Sequence, residues 1–257
     1  MTTLTLLVKA SSGSQLKLID DQLRAEFENL DLELKVSGTQ SKWVQVSLSG
    51  EDEVIAASYI KQHFGLCPVN LKNISPPAVL KGYILKVDNA KQELTVDVGI
   101  FEPQTIKATV PAISLQTQLV AGKKLALQEI SELFALHENL PLSIKISEVK
   151  TEGELQAELA EEQVERFRMW ERSLLSRLLV LGASSSQIEA VLERTRLNRD
   201  VIAVEALGMF EHALICKLGT EAAGLIPRIG GYLKNSSLTV FNSRKLASFV
   251  GEHRLTL

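Results

Sequence analysis

Residues 79–98 read VLKGYILKVDNAKQELTVDV, and this stretch decides the middle of the chain. Val79 to Val87 and Glu93 to Val98 are both strand patterns, rich in aliphatic and β-branched residues. Asp88-Asn89-Ala90-Lys91 between them has the composition of a turn, so the spacing predicts a hairpin. Working outward, Thr105 to Val110 repeats the strand pattern after Pro103, and Gly122 marks another turn. Leu142-Ser143-Ile144-Lys145-Ile146 then alternates strictly, as a closing strand would. Short strands of this kind within about 75 residues, with a helical stretch near Leu125 to Leu136, suit a small barrel of the five-stranded type.

Ile74-Ser75-Pro76-Pro77 separates this barrel from what precedes it, because consecutive prolines stop both helices and ladders. Upstream, Leu4 to Val8 is a short apolar strand, and Ser11-Ser12-Gly13-Ser14 offers helix caps. Leu16, Ile19, Leu23, Phe27 and Leu30 then recur at three- and four-residue spacing, the mark of an amphipathic helix. Leu32, Leu34 and Val36, and later Val44, Val46 and Leu48, alternate as two half-buried strands. Acidic Glu51-Asp52-Glu53 opens a second helix from Val54 to Phe64, and Cys67 to Leu71 is expected as a last strand. The order is that of a ferredoxin-like βαββαβ unit. It shows no G-x-x-G loop and only one aromatic, Trp43, in the strand Lys42-Trp43-Val44-Gln45-Val46, which favours a structural or protein-contact role over RNA stacking.

Downstream, Leu155, Leu159, Val164, Phe167, Trp170, Leu174, Leu178 and Leu181 form a stripe that predicts one long helix over residues 153–181. Ser186 with Glu189 reads as a capping box for a second, short helix. A helix-turn-helix is one reading of the pair, but the second helix has few side chains free to read bases, which favours plain packing. Val201 to Ala206 and Phe210 to Leu218 predict a hairpin, Leu238 to Phe241 a late strand, and Ser243 the cap of a final helix through Val250. The chain is therefore expected to be an α+β multidomain protein. Its parts are a ferredoxin-like unit over 1–72, an OB/S1-like β-barrel over 78–150, and a long helix plus C-terminal α/β unit over 151–257. The S1-like element of that reading rests on Lys81-Gly82-Tyr83-Ile84 followed by Val96-Asp97-Val98-Gly99, which resemble the opening strands of S1-like barrels.

Composition narrows the function classes. The 257 residues are 45% apolar and 23% charged, ordinary globular usage that excludes a disordered chain. No run of about 18 apolar residues and no basic leader is present, so secretion and membrane spanning are not expected. Two distant cysteines, Cys67 and Cys216, fit a reducing cytoplasm and offer no zinc spacing. Glu211, His212 and Cys216 look like ligands, but along a strand positions 212 and 216 stand roughly 13 Å apart and Glu211 faces away. No metal and no cofactor are expected. There is no G-x-S-x-G elbow, H-E-x-x-H pair or phosphate loop, so catalysis has no motif behind it.

The net charge of −3 conceals an uneven distribution. Arg24 is the one arginine before residue 151 and ten follow it, and from Arg172 onward eleven basic residues face seven acidic ones. Arginine's planar fork suits phosphate, although an arginine-rich surface also serves solubility. Gly219-Thr220 is the best candidate anion-binding turn, with Arg228 as a second contact; a simple helix cap explains the same residues.

The stretch from Arg199 through Leu207-Gly208, then Glu211-His212-Ala213-Leu214 and Cys216 to Gly230, together with Gly50-Glu51-Asp52-Glu53-Val54 and Val96-Asp97-Val98-Gly99, resembles an archaeal family known only as a domain of unknown function. The resemblance implies an archaeal, cytoplasmic protein and carries no activity and no site residues. The expected function is a non-enzymatic, nucleic-acid-associated role in information processing, RNA ahead of DNA. Lys81, Tyr83, Phe101 and Lys107 are the expected contacts on the barrel, and Arg194, Arg196, Arg199 and Arg228 extend the track if the C-terminal unit folds against the barrel. The other reading of Tyr83 and Phe101 is that they are core, since residue 83 shares its strand face with Leu85 and Val87. The alternatives are a protein-binding adaptor, with a protein of the transcription or translation machinery as partner, and an enzyme acting on a phosphorylated small molecule at Gly219-Thr220.

Overall fold

A computed structural model of the chain describes residues 1–150 and 154–251. The described residues form eight α-helices and thirteen strands, divided between two compact units. The first unit comprises Met1–Ile74 and Gly99–Thr105. Its strands β1 (Thr2–Lys9), β2 (Glu33–Gly38) and β3 (Trp43–Ser49) make an antiparallel sheet in the order β1-β3-β2. Helices α1 (Gly13–Glu26) and α2 (Glu53–Phe64) bury Ile19, Leu23, Ala56 and Ile60 with Leu6, Trp43, Val46 and Leu48. Ser12 caps α1, its Oγ accepting the Gln15 N–H at 3.3 Å.

The strand expected over 67–71 is divided. Leu66 bridges Leu6 and the Cys67 N–H donates to the Thr5 carbonyl at 2.8 Å, so the chain starts a fourth strand beside β1. Pro68 has no N–H with which to continue that ladder, and β4 (Val69–Asn70) instead pairs in parallel with Ile100–Glu102. Gly99 permits this arrangement: its φ is +73°, and a Cβ there would lie 2.4 Å from the Cys67 Sγ.

The second unit comprises Ser75–Val98 and Ile106–Leu257. Strands β5 (Ala78–Asp88), β6 (Glu93–Glu102), β7 (Ile106–Pro111), β8 (Pro141–Val149) and β9 (Leu155–Leu159) follow one another around a closed barrel as β6-β5-β8-β9-β7, and a β6–β7 pairing closes it. The β7–β9 pair is parallel, whereas β5–β6, β5–β8 and β8–β9 are antiparallel. Ile84, Val96, Ala108, Ile144 and Ala157 fill it. Between β7 and β8 lie α3 (Ala112–Leu119) and α4 (Leu127–Phe134); the second occupies the stretch expected near 125–136, and the first had no periodic signal of comparable length. Gly82 is needed for closeness of strands, since a Cβ there would meet the Asp97 carbonyl oxygen at 2.4 Å.

Residues 155–181, expected within a single helix, form a strand, a helix and a strand: β9, α5 (Glu161–Arg172) and β10 (Arg177–Leu181). Leu155, Ala157 and Leu159 are buried in alternation while Gln156 and Glu158 are partly exposed, and all five residues of β10 are buried. A period of two also places apolar residues four apart, so Leu155 with Leu159 in β9 mimics a helical stripe, and Leu174 in the loop before β10 happens to stand four residues from Leu178. The joint expected at Gly153 lies outside the described residues.

Beyond β10 come α6 (Ser185–Thr195), β11 (Val201–Ala206), β12 (Glu211–Cys216), the short α7 (Ile226–Ile229), β13 (Ser237–Phe241) and α8 (Ser243–Gly251). The expected hairpin and late strand are present, and all pairs of the sheet β11-β12-β10-β13 are antiparallel. One face of the sheet buries Leu178, Val180, Leu214 and Cys216 against Ile188 and Leu192 of α6 and Ile229 of α7. The other face carries Phe241 into an aromatic cluster with Phe134, Phe167 and Trp170. Two caps differ from expectation. Ser184, extended at φ −73° and ψ 159°, closes the capping box of α6 with Gln187, and the Asn242 Oδ1 accepts the Lys245 N–H at 2.9 Å at the start of α8. With β10 where its first helix would stand, no helix-turn-helix forms. No helix among the described residues is long and apolar enough to cross a membrane.

Candidate anion-binding cleft

Antiparallel pairing determines what lies at each end of the C-terminal sheet. Val201 opposes Cys216, and Arg177 opposes both Ile215 and Phe241. The start of β11, the end of β12, the start of β10 and the end of β13 are therefore neighbours. The loops leaving those ends bring together residues distant in sequence. Leu174–Ser176 precede β10, Lys217–Glu221 follow β12, and Asn242, Arg244, Lys245 and Ser248 follow β13; together they line a cleft of about 390 Å³.

Three cations, Lys217, Arg244 and Lys245, and one carboxylate, Glu221, line this cleft, and Ser176, Thr220 and Ser248 add hydroxyls. The cations are exposed, so their charge is available to a ligand. Gly219, at φ +93°, makes the sharp turn after β12, and the Thr220 N–H donates back to the Lys217 carbonyl at 2.9 Å. The N-terminus of α8 opens on the same cleft, and its dipole adds to the attraction for an anion. Such a lining neutralises negative charge and donates hydrogen bonds.

Arg177 secures one wall. Its Nη1 donates to the Leu175 carbonyl at 2.8 Å and the Ser173 Oγ at 3.0 Å, and its guanidinium lies 5.1 Å from the centre of the Trp170 ring. Burial lowers its pKa, while Glu205, whose Oε2 lies 4.0 Å from Nε, opposes the shift. Glu205 in turn accepts the Trp170 Nε1–H at 3.0 Å.

The arginines expected to form a track gather at one corner. Arg194 stands in the last turn of α6 with its guanidinium 4.8 Å from the Tyr232 ring centre, and Arg196 occupies the left-handed cap of that helix. Arg199 stands exposed in the turn 197–199. Arg228 reaches them from α7, pairing with Asp200 at 3.3 Å and donating to the Thr195 carbonyl at 3.2 Å. The Lys217 N–H donates to the Asp200 carbonyl at 2.7 Å, which joins this corner to the cleft. Gly219 and Thr220 thus acquire basic neighbours. Lys217, Arg244 and Lys245 were not among the expected site residues, because nothing in their spacing shows that they share an end of one sheet.

The barrel residues are placed differently. Lys81 on β5 and Lys107 on β7 are exposed, outside the cleft. Phe101 is half-buried in the first unit. Tyr83 is 4% exposed, and its hydroxyl lies 3.5 Å from the Glu211 Oε2 beneath the β11–β12 turn. A Cβ on Gly208 of that turn would strike the same carboxylate oxygen at 2.3 Å. Burial pushes the Glu211 carboxyl up to about 8, against the Phe210 N–H and Tyr83 hydroxyl that favour its charged form. Cys216 is buried and its thiol is pushed up to about 11 by desolvation, which leaves it a weak nucleophile. Among the described residues no group of His, Cys, Asp or Glu is arranged to hold a metal ion.

Three family models match successive segments of the chain: the DUF2110 N-terminal domain over residues 4–69, the DUF2110 central domain over 74–171, and the DUF2110 C-terminal domain over 175–241. No curated protein matches it.

Proposed function

Because the chain belongs to the DUF2110 family, its chemistry is argued from its own residues, and we propose a non-enzymatic protein of archaeal, cytoplasmic information processing that binds RNA through phosphate contacts at the basic end of its C-terminal sheet. The observation that carries this reading is the convergence of Lys217, Arg244 and Lys245 on one cleft, with the arginine corner adjoining it. The closed order β6-β5-β8-β9-β7, with a parallel β7–β9 pair and helices between β7 and β8, supports an OB-type assignment of the barrel, S1-like in its opening strands. The β1-β3-β2 sheet and the bridge from Leu66 to Leu6 support a ferredoxin-like first unit. Tyr83 is covered by the C-terminal hairpin, which shifts the RNA contact from the barrel face to the cleft.

Anisotropy of a labelled single-stranded RNA, titrated with the full chain, tests the proposal. Three phosphate contacts give a slope of log affinity against log salt near −2, at about −0.7 per contact on single strands. Reversal of Lys217, Arg244 or Lys245 to Glu lowers both affinity and slope, and the triple reversal at Arg194, Arg196 and Arg199 lowers affinity further. No binding at low salt, or binding indifferent to these reversals, turns the assignment toward a protein-binding adaptor.

A further inference from the structure

β11 is an edge strand, paired on one side by β12 and bordered on the other by a groove. An edge strand directs alternate backbone N–H and C=O groups outward, and natural proteins commonly blunt such edges with lysine, proline or a bulge. Here the register shifts between Val201 and Ala203, but from Ala203 to Ala206 the pairing with β12 is regular and carries neither lysine nor proline. Ile202 is 57% exposed and Val204 36%, so two large apolar side chains of one short strand face solvent. The groove beside them measures about 330 Å³. Across it stand Glu189 and Glu193, four residues apart and so on one face of α6, both exposed.

We propose that this groove receives an extended, lysine- or arginine-bearing peptide segment of a partner protein, which adds to the sheet as a further strand beside β11. Backbone pairing with the edge supplies the affinity, Ile202 and Val204 cover its apolar side chains, and Glu189 and Glu193 select its charge. Charge also decides against a second copy of this chain. Two β11 edges related by a two-fold axis place the glutamates of one α6 toward those of the other, where like charges repel. The docking surface is formed by α6 and β11, and none of its lining residues belongs to the cleft at Lys217.

The test uses the full chain and a labelled eight-residue peptide of alternating lysine and valine, followed by anisotropy. Binding is expected to fall about tenfold or more in a Glu189→Lys, Glu193→Lys double variant, whose altered side chains are exposed and leave the fold intact. It is expected to fall by a similar factor, about tenfold, when alternate peptide amides are N-methylated along one edge, since those methyl groups remove strand pairing and leave the charge. No binding, or binding that survives either change, overturns the proposal. Concentration-dependent dimerisation abolished by Ile202→Lys also overturns it, because a second copy would then be the occupant.

Discussion

Replacing Glu211 with glutamine should remove the pH dependence of stability that this buried carboxyl contributes. The side chain is 4% exposed, and its Oε2 accepts the Phe210 N–H at 3.3 Å and faces the Tyr83 hydroxyl at 3.5 Å. Burial raises its pKa from an ordinary 4.5 to about 8. The folded chain therefore keeps a proton that the unfolded chain has lost. This group's contribution to stability is complete below about 4.5 and is lost as the pH rises toward 8. His212 acts with the opposite sign: burial holds its pKa below the ordinary 6.5, so its contribution is present above 6.5 and is lost as the pH falls. Cys216, raised from 9.0 to about 11, costs stability only above that ordinary value. The interval from 6.5 to about 8 thus isolates Glu211 among these three groups. The expected slope there is about 1.4 kcal/mol per pH unit, a loss of roughly 2 kcal/mol across the interval. That is a substantial part of the roughly 5–15 kcal/mol by which domains are stable. Urea unfolding in steps across this interval should show wild-type stability falling and Glu211→Gln staying level. Equal slopes in the two proteins would refute the assignment of the proton to this carboxyl.

Further expectations concern packing and caps. Phe167 is 1% exposed, with ring centres 5.4 Å from Phe134 and 5.8 Å from Trp170, so Phe167→Ala should cost about 3–5 kcal/mol in urea unfolding; a loss below about 1 kcal/mol contradicts the cluster's role. Gly99→Ala adds a Cβ 2.4 Å from the Cys67 Sγ at φ +73°, and should destabilise the first unit by about 2 kcal/mol or more, read as faster proteolysis within residues 1–74. Ser184→Ala should lower the melting temperature by the loss of about 1 kcal/mol of capping, whereas Ser186→Ala should change stability by less than about 0.5 kcal/mol; the reverse order would place the cap at Ser186.

Four of the five barrel strands were legible because they repeat apolar residues at a period that a helix does not share over that length, whereas the fifth, β9, reads as helix. Residues 79–98 carry that period on both sides of a turn-forming tetrapeptide, and they fold as β5 and β6. The C-terminal hairpin was legible for the same reason, through Val201–Ala206 and Glu211–Cys216. The segment 153–181 reads as one helix because β9, α5 and β10 are joined by short breaks, and Leu155 with Leu159 in β9, then Leu174 in the loop and Leu178 in β10, extend the stripe of α5 at both ends with four-residue spacing. Left-handed Leu174, at φ 53°, marks the second break, and leucine gives no compositional warning of it. Tyr83 could be read either as a stacking residue or as core from the face it shares with Leu85 and Val87, and its contact with Glu211 under the C-terminal hairpin decides for core.

By itself, the sequence determined most of the local elements and their faces, because hydrophobic periodicity, prolines and cap-forming residues act over a few positions and need no distant partner. It also determined the family and the concentration of arginine after residue 151. Only the tertiary structure decided which strands are neighbours, and with them which loop ends meet. Lys217, Arg244 and Lys245 share a cleft because β12 and β13 both pair antiparallel with β10, and an open β11 edge faces Glu189 and Glu193 because β12 has β10 on its other side. Strand order is set by long-range burial and backbone pairing, whose partners are separated along the chain by loops that carry no record of the register.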